Sequence, residues 1–155
     1  MNPRREEPGR HKPASGVHID LGQPTIVFVT VDAENRVPWI AQSQVHQLLV
    51  EVWGEAQAWL VGYYLLMPDH LHLFAAPQTL DIPFNRWMRY WKRLFTQRAD
   101  NAEWRWQALH WDTRLRRSES YTEKWNYIRE NPMRKGLVTQ PEAWPYQGML
   151  NVLRW

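Results

Sequence analysis

Two histidines, His70 and His72, lie two positions apart in an apolar run that follows Pro68 and Asp69. Side chains alternate between the faces of a β-strand, so both imidazoles are expected on one face, with Leu71 on the other. Two neutral imidazoles on one face are half of a divalent-metal site. An isolated pair of this kind is as often a chance surface feature. Here bulky apolar residues flank the pair, and no acidic side chain is expected to form an ion pair with it.

A helix predicted over residues 118–130, capped by Ser118, supplies candidates to complete such a site. Because the chain has no cysteine, the other ligands must be imidazole, carboxylate, amide or water, and Mg²⁺ or Mn²⁺ would require oxygen. Lys124, Tyr127 and Asn131 are spaced i, i+3, i+7 and share one helix face. By residue type alone, Tyr127 is more simply a packing tyrosine and Asn131 a C-terminal cap.

The elements that must position these residues alternate regularly. Apolar and β-branched runs predict strands over residues 24–31, 58–67, 70–76 and 109–115. Helical spacing predicts helices over residues 41–56, where Ser43 can cap, and 84–98, besides the one over 118–130. This order favours an α+β fold: a ferredoxin-like βαββαβ antiparallel sheet with helices on one face, plus a C-terminal helical extension. The tail over residues 141–155 is expected to pack back on the body.

Length and composition predict one folded domain. Residues 1–22 are rich in Pro, Gly and charge and are expected to form a flexible N-terminal arm, leaving residues 23–155 as the single folded domain. The longest nearly apolar run, residues 59–67, is far shorter than the ~20 residues of a membrane span. No apolar leader is visible. Together with the missing cysteines, this favours a cytoplasmic protein without a membrane partner.

A mild positive charge and many aromatic residues permit a nucleic-acid partner. The net charge is +3, and there are eleven tryptophans, more than a core is expected to need. Tryptophans interleaved with cations suit unstacked bases and phosphates, although amphipathic packing explains them equally well. The helix over 84–98 carries a basic stripe that is expected to contact DNA phosphates, with a merely solvated face as the alternative: Arg86, Arg89, Lys92 and Arg93.

Two motifs, in order, resemble those of REP-associated tyrosine transposases, which are single-strand transposases with one catalytic tyrosine. The family's HUH motif reads "MP-D/N-H-x-H", and residues 67–72 match it. A second family motif, "Y-I-x-x-N-P-x-x-x-G", is matched from Tyr127 to Gly136, and the later Trp144-Pro145-Tyr146 also fits. The resemblance spans roughly residues 25–146. This chain departs from it at Met133, where the family usually has Val, and in the Trp-rich stretch over 104–116.

The resemblance implies a fold, a site and a reaction. The family fold is ferredoxin-like; His70 and His72 correspond to the metal-binding pair, and Asn131 to a possible third ligand of Mg²⁺ or Mn²⁺. Tyr127 corresponds to the nucleophile of a metal-dependent nicking and rejoining of single-stranded DNA, on hairpins or repeat palindromes, through a 5′-phosphotyrosine intermediate. Lys124, one turn earlier, either stabilises the phenolate or is an exposed lysine without a role.

Other interpretations of the same residues remain open. The protein could be a hairpin DNA-binding module whose catalysis is lost or secondary, or a metal-dependent hydrolase that uses water as nucleophile. It would act as a monomer or as a homodimer, and it would be nucleoid-associated when bound to DNA.

Overall fold

The computed structural model describes residues 25–115 and 118–154, without the side chains of residues 118 and 119. The N-terminal arm predicted over residues 1–22 and the cap predicted at Ser118 therefore lie outside the described residues. Within them, no helix is both long enough and apolar enough to cross a membrane.

A five-stranded antiparallel sheet organises the fold, with strand order β4-β1-β3-β2-β5. The strands are β1 (Ile26–Ala33), β2 (Trp59–Leu66), β3 (His70–Pro77), β4 (Trp106–Leu115) and β5 (Gln147–Met149). The helices are α1 (Ser43–Glu55), α2 (Phe84–Ala99), α3 (Ser118–Ile128) and the short α4 (Asn131–Arg134). The α+β, ferredoxin-like prediction is confirmed. The tail packs back as expected, and it also adds β5, which was not predicted.

The two faces of the sheet carry two separate cores. On one face, Val27, Val29 and Val31 of β1 pack in the same core as the buried residues of α1 and α2. On the other face, Phe28 packs with Tyr121 and Trp125 of α3. The expectation of helices on one face therefore holds for α1 and α2, whereas α3 lies on the opposite face. The reason is that β1 is apolar on both sides, and its second side must also be covered.

Most tryptophans are core residues, so the expectation that they exceed the needs of the core is wrong. Of the ten that the structure describes, seven are buried: Trp39, Trp53, Trp59, Trp87, Trp91, Trp125 and Trp144. Some buried indole N–H groups find backbone acceptors: Trp87 Nε1 donates to the Ala56 carbonyl at 2.6 Å, and Trp144 Nε1 donates to that of Leu66 at 2.8 Å. Wide aromatic rings fill the space between helices and sheet.

Several predicted boundaries shift. Ser43 is the first residue of α1, and Gln42 occupies the cap position without a capping hydrogen bond from its side chain. The last sheet strand of the ferredoxin-like unit, β4, begins at Trp106 rather than at residue 109, because Trp104 stacks on buried Trp39 and Trp106 meets it edge-on. Aromatic packing thus holds the Trp-rich stretch before residue 109.

We expect Gly62→Ala to destabilise the protein by ~1–3 kcal/mol. A Cβ at this position of β2 would lie 2.5 Å from the Tyr121 hydroxyl oxygen and 2.7 Å from Leu153 Cδ1. It would also disturb the hydrogen bond, 3.3 Å long, that the Tyr63 amide donates to that hydroxyl. The free energy of unfolding in urea measures the effect.

The control is Gly54→Ala in α1, where a Cβ meets nothing within 4 Å. This change should stabilise the protein by up to ~1 kcal/mol. Equal stability of both variants would contradict the packing of α3 on β2.

Candidate active site

His70 and His72 begin β3, the central strand of the sheet, and they lie on the face that α3 partly covers. Their ring centroids are 4.9 Å apart. His72 pairs in register with Thr30 of β1, and its ring stacks on Phe28 at 5.3 Å. The prediction that both imidazoles share one face is confirmed.

Each imidazole has its Nδ1 engaged by a neighbouring oxygen. His70 Nδ1 lies 2.8 Å from Asp69 Oδ1, so the expectation of no acidic partner is wrong. His72 Nδ1 lies 2.9 Å from Thr30 Oγ1. A carboxylate accepts but cannot donate, so His70 Nδ1 carries a proton, and Nε2 is the ring atom left to face a metal. The same tautomer of His72 would donate from Nδ1 to Thr30. This is how metal-binding histidines are oriented in proteins.

Asp69 is a site residue to which the sequence reasoning gave no role beyond its place in the motif. Arg36 Nε donates to its second oxygen, Oδ2, at 3.0 Å. Burial tends to raise the pKa of Asp69, but the hydrogen bonds from His70 and Arg36 outweigh it and lower that pKa. The carboxylate therefore stays charged and holds the His70 ring. Its position directly before the histidine was the available signal.

His72 is held in its neutral form. Burial lowers its pKa to about 3, and the nearby charges of His70 and Lys124 act in the same direction. At neutral pH the ring is therefore unprotonated, and its lone pair is available to a donor or a metal.

Asn131 connects the two motifs. Its Nδ2 lies 3.4 Å from His72 Nε2, across 59 residues of sequence. Asn131 is the first residue of α4, after α3 has ended at Ile128, so it does not cap the C-terminus of α3. Its amide oxygen Oδ1 accepts a hydrogen bond from Arg134. In this orientation the amide presents nitrogen, not oxygen, to His72.

Arg134 is a second residue that sequence reasoning missed. Besides Asn131 Oδ1, its Nη2 donates to the Tyr127 carbonyl oxygen at 2.9 Å. Its guanidinium carbon lies 4.1 Å from the centroid of the Tyr127 ring, in cation–π geometry. The spacing i+7 from Tyr127 and i+3 from Asn131 was the signal. Arg134 thus ties the tyrosine to the asparagine that contacts His72.

Tyr127 is 63% exposed, unlike the packing tyrosine that was the alternative. Among the described residues, its hydroxyl has no hydrogen-bond partner. The other tyrosine of α3, Tyr121, is buried; burial raises the pKa of Tyr121 to about 12, and its hydroxyl accepts the Tyr63 amide hydrogen bond. Of the two tyrosines, only Tyr127 is open to a large substrate.

Lys124 lies between α3 and the sheet. Its Nζ is 4.7 Å from the centroid of the Phe28 ring, and burial lowers its pKa. It is half-buried rather than solvent-exposed, and close enough to influence His72. Its part in activating Tyr127 stays a prediction.

The predicted DNA-binding stripe lies elsewhere. Helix α2 packs on the sheet face opposite the histidines, and Arg86, Arg89 and Arg93 on it are exposed. Lys92 is half-buried, and its Nζ donates to the carbonyl oxygens of Gln107 at 3.0 Å and Ala108 at 3.3 Å. The stripe does not join the cluster around His72, and its DNA contacts stay a prediction.

The fold and the cluster around β3 define a class: ferredoxin-like proteins with an HUH histidine pair on the central strand. A curated relative, the REP-associated tyrosine transposase of Escherichia coli (strain K12), is 30% identical over 123 residues, which cover 77% of this chain and 73% of the relative. The chain belongs to the family of REP-associated tyrosine transposases, and transposases are DNA-processing enzymes.

One solved structure agrees with this assignment, and a second is too dissimilar to bear on it. A REP-associated tyrosine transposase bound to a REP hairpin has a TM-score of 0.69 and 25% identity, covering 79% of this chain and 74% of its own. A putative transposase from Deinococcus radiodurans has a TM-score of 0.48 and 12% identity, covering 70% of this chain and 91% of its own. No family model matches the sequence.

Proposed function

We propose that this protein nicks and rejoins single-stranded DNA next to a hairpin, using Tyr127 as nucleophile and Mg²⁺ or Mn²⁺ as cofactor. The observation that carries the proposal is the contact between Asn131 and His72. It joins the segment bearing the exposed tyrosine to the strand bearing the histidine pair. The partner is inferred from the solved relative, whose description names a REP hairpin.

The histidine pair fits a divalent metal. Both rings have Nδ1 engaged, His72 is neutral, and its Nε2 meets the Asn131 amide at 3.4 Å. Within residues 25–115 and 118–154, no group of three or more His, Cys, Asp or Glu side chains could hold a metal. The remaining ligands would therefore be water, DNA oxygens or Asn131, whose amide would have to rotate so that Oδ1 replaces Nδ2. When bound, the metal would polarise the scissile phosphate and offset charge that grows on its oxygens.

The proposed reaction exchanges one phosphodiester for another. The Tyr127 oxygen attacks phosphorus and loses its proton, the bond from phosphorus to the 3′ oxygen breaks, and that oxygen is protonated. The products are a 5′-phosphotyrosine link and a free 3′-hydroxyl. Attack by a 3′-hydroxyl on the phosphotyrosine link later reverses the step. Because each step exchanges one phosphodiester for another, no nucleoside triphosphate is needed.

The chain's own residues would hold the nucleophile for this attack. An ordinary phenol has a pKa of ~10, so it is a weak nucleophile at neutral pH. Arg134 fixes the Tyr127 ring and places a positive charge beside it. Lys124 adds another cation on the same side of the sheet. These charges favour an anionic DNA backbone at the site and support a developing phenolate.

A covalent-adduct assay tests the proposal. The protein is incubated with end-labelled single-stranded hairpin DNA and Mn²⁺ or Mg²⁺, denatured, and resolved on a gel. We expect a metal-dependent protein–DNA adduct, lost with EDTA, whose DNA-linked peptide maps by mass spectrometry to Tyr127. Cleavage without an adduct would instead indicate a hydrolase. Binding without cleavage would indicate a DNA-binding module.

A further inference from the structure

One tryptophan among those described differs from the rest. Trp111 on β4 is 47% exposed, whereas seven others are buried and Trp104 and Trp106 are half-buried. Leu109, two residues earlier on β4, is 73% exposed. A large aromatic ring left open to water, when the other described tryptophans are buried or half-buried, needs an explanation.

The strand register places Trp111 on the face of the histidine pair. Thr30 of β1 pairs with Trp111 on one side and with His72 on the other. Directly paired residues point to the same side of a sheet. Trp111 is therefore two strands from His72, which corresponds to ~10 Å at the usual strand spacing. A few nucleotides of single-stranded DNA span that distance, so a base at Trp111 would be close to the proposed cleavage site.

The surroundings of Trp111 suit a nucleotide. Helix α3 covers this face around Phe28 and Phe74 and leaves Trp111 open. Lys124 lies over the ring of Phe28 and supplies positive charge. Phe28 belongs to β1, the strand between β4, which carries Trp111, and β3, which carries the histidines. The one acidic residue facing this side from β1, Asp32, has Arg36 at 3.8 Å. An aromatic surface beside a cation is the arrangement that binds unstacked bases.

We propose that Trp111 stacks on a nucleobase of the single-stranded DNA and so sets the register of the strand at Tyr127. The inference rests on the proposed function, since it gives a contact for the same substrate. It also identifies which of the many tryptophans in the chain would stack on a base.

The test is a binding cycle with abasic DNA. In a Tyr127→Phe background, which prevents cleavage, the Kd for hairpin DNA is measured by fluorescence anisotropy while single nucleobases near the hairpin foot are removed in turn. We expect Trp111→Ala to weaken binding about five- to a hundred-fold. Removing one particular base should weaken binding by the protein that retains Trp111 about as much as Trp111→Ala does. The same base removal should not change the Kd of the Trp111→Ala variant further. Trp111→Phe should retain part of the affinity.

The control and the contrary outcomes separate the possibilities. Tyr90→Ala removes an aromatic ring that is 43% exposed on α2, the other side of the sheet, and its effect should be additive with every base removal. Additivity at every position for Trp111→Ala, or an unchanged Kd, would overturn the inference. So would a Trp111→Ala change from dimer to monomer in sedimentation with DNA affinity intact. If Trp111→Ala and one base removal are non-additive but the wild type forms no covalent adduct, the proposed catalysis is contradicted and the Trp111 contact is retained.

Discussion

Replacing Tyr127 by phenylalanine should lower covalent adduct formation by at least about a thousand-fold, because the change removes the proposed nucleophilic atom. The ring stays, so its contact with the Arg134 guanidinium is preserved. The side chain is largely exposed and contributes little to the core. Stability in urea and the Kd for hairpin DNA should therefore remain within about twofold. The rate of adduct formation under single-turnover conditions is the measurement.

The matched control for this change is Tyr90→Phe. Tyr90 is also an exposed helical tyrosine, but it lies on α2 and its ring contacts Arg93. This variant should form the adduct at the wild-type rate. Undiminished adduct formation by Tyr127→Phe, with the linked peptide mapping to another residue, would remove Tyr127 from the mechanism.

Replacing His72 by alanine should abolish detectable metal binding and reduce adduct formation by at least about a hundred-fold. Its Nε2 is one of the two proposed imidazole ligands, and burial keeps the ring neutral. Thr30→Val removes only the Oγ1 that lies 2.9 Å from His72 Nδ1, so the ring loses its orientation. A loss of 10- to 100-fold in metal affinity is expected for that change. Isothermal titration with Mn²⁺ measures both effects independently of activity.

His46→Gln serves as the control for the histidine substitution. His46 lies on α1, and its Nε2 is 2.7 Å from the hydroxyl of Tyr64. Tyr64 belongs to the core on the other face of the sheet. Metal affinity should be unchanged in this variant. Equal Mn²⁺ affinity of His72→Ala and the wild type would exclude His72 as a ligand.

Local periodicity was enough to predict β1 to β4 and α1 to α3, but not the three-residue β5. The His-x-His spacing determined that both rings share a face, and the chain order predicted the ferredoxin-like sheet. The side of the sheet on which α3 packs depended on something less local: Phe28 and Phe74 needed a cover that only a later helix could provide. Likewise, a Trp-rich composition could not distinguish buried rings such as Trp87 from the exposed Trp111, because this depends on which face each ring meets.

The candidate site was predictable in its motif residues and not in their connections. His70, His72, Tyr127 and Asn131 stand out by type and spacing. Asp69 and Arg134 do not, since their roles arise from hydrogen bonds that form only in the fold. Lys92 shows the converse. Its place in a basic stripe suggested DNA contact, but β4 lies beside α2 and provides carbonyl oxygens for its ammonium group.

The contact of Lys92 also bears on self-association. Strand β4 is one border of the sheet, and an open border offers unpaired backbone groups onto which another chain can add a strand. The ammonium group donates near the start of β4, to the carbonyl oxygens of Gln107 and Ala108, and places a charge beside this border. A strand added there would have to displace Lys92 from its two acceptors or pack against its charge, so the lysine disfavours edge-to-edge association at the first residues of β4.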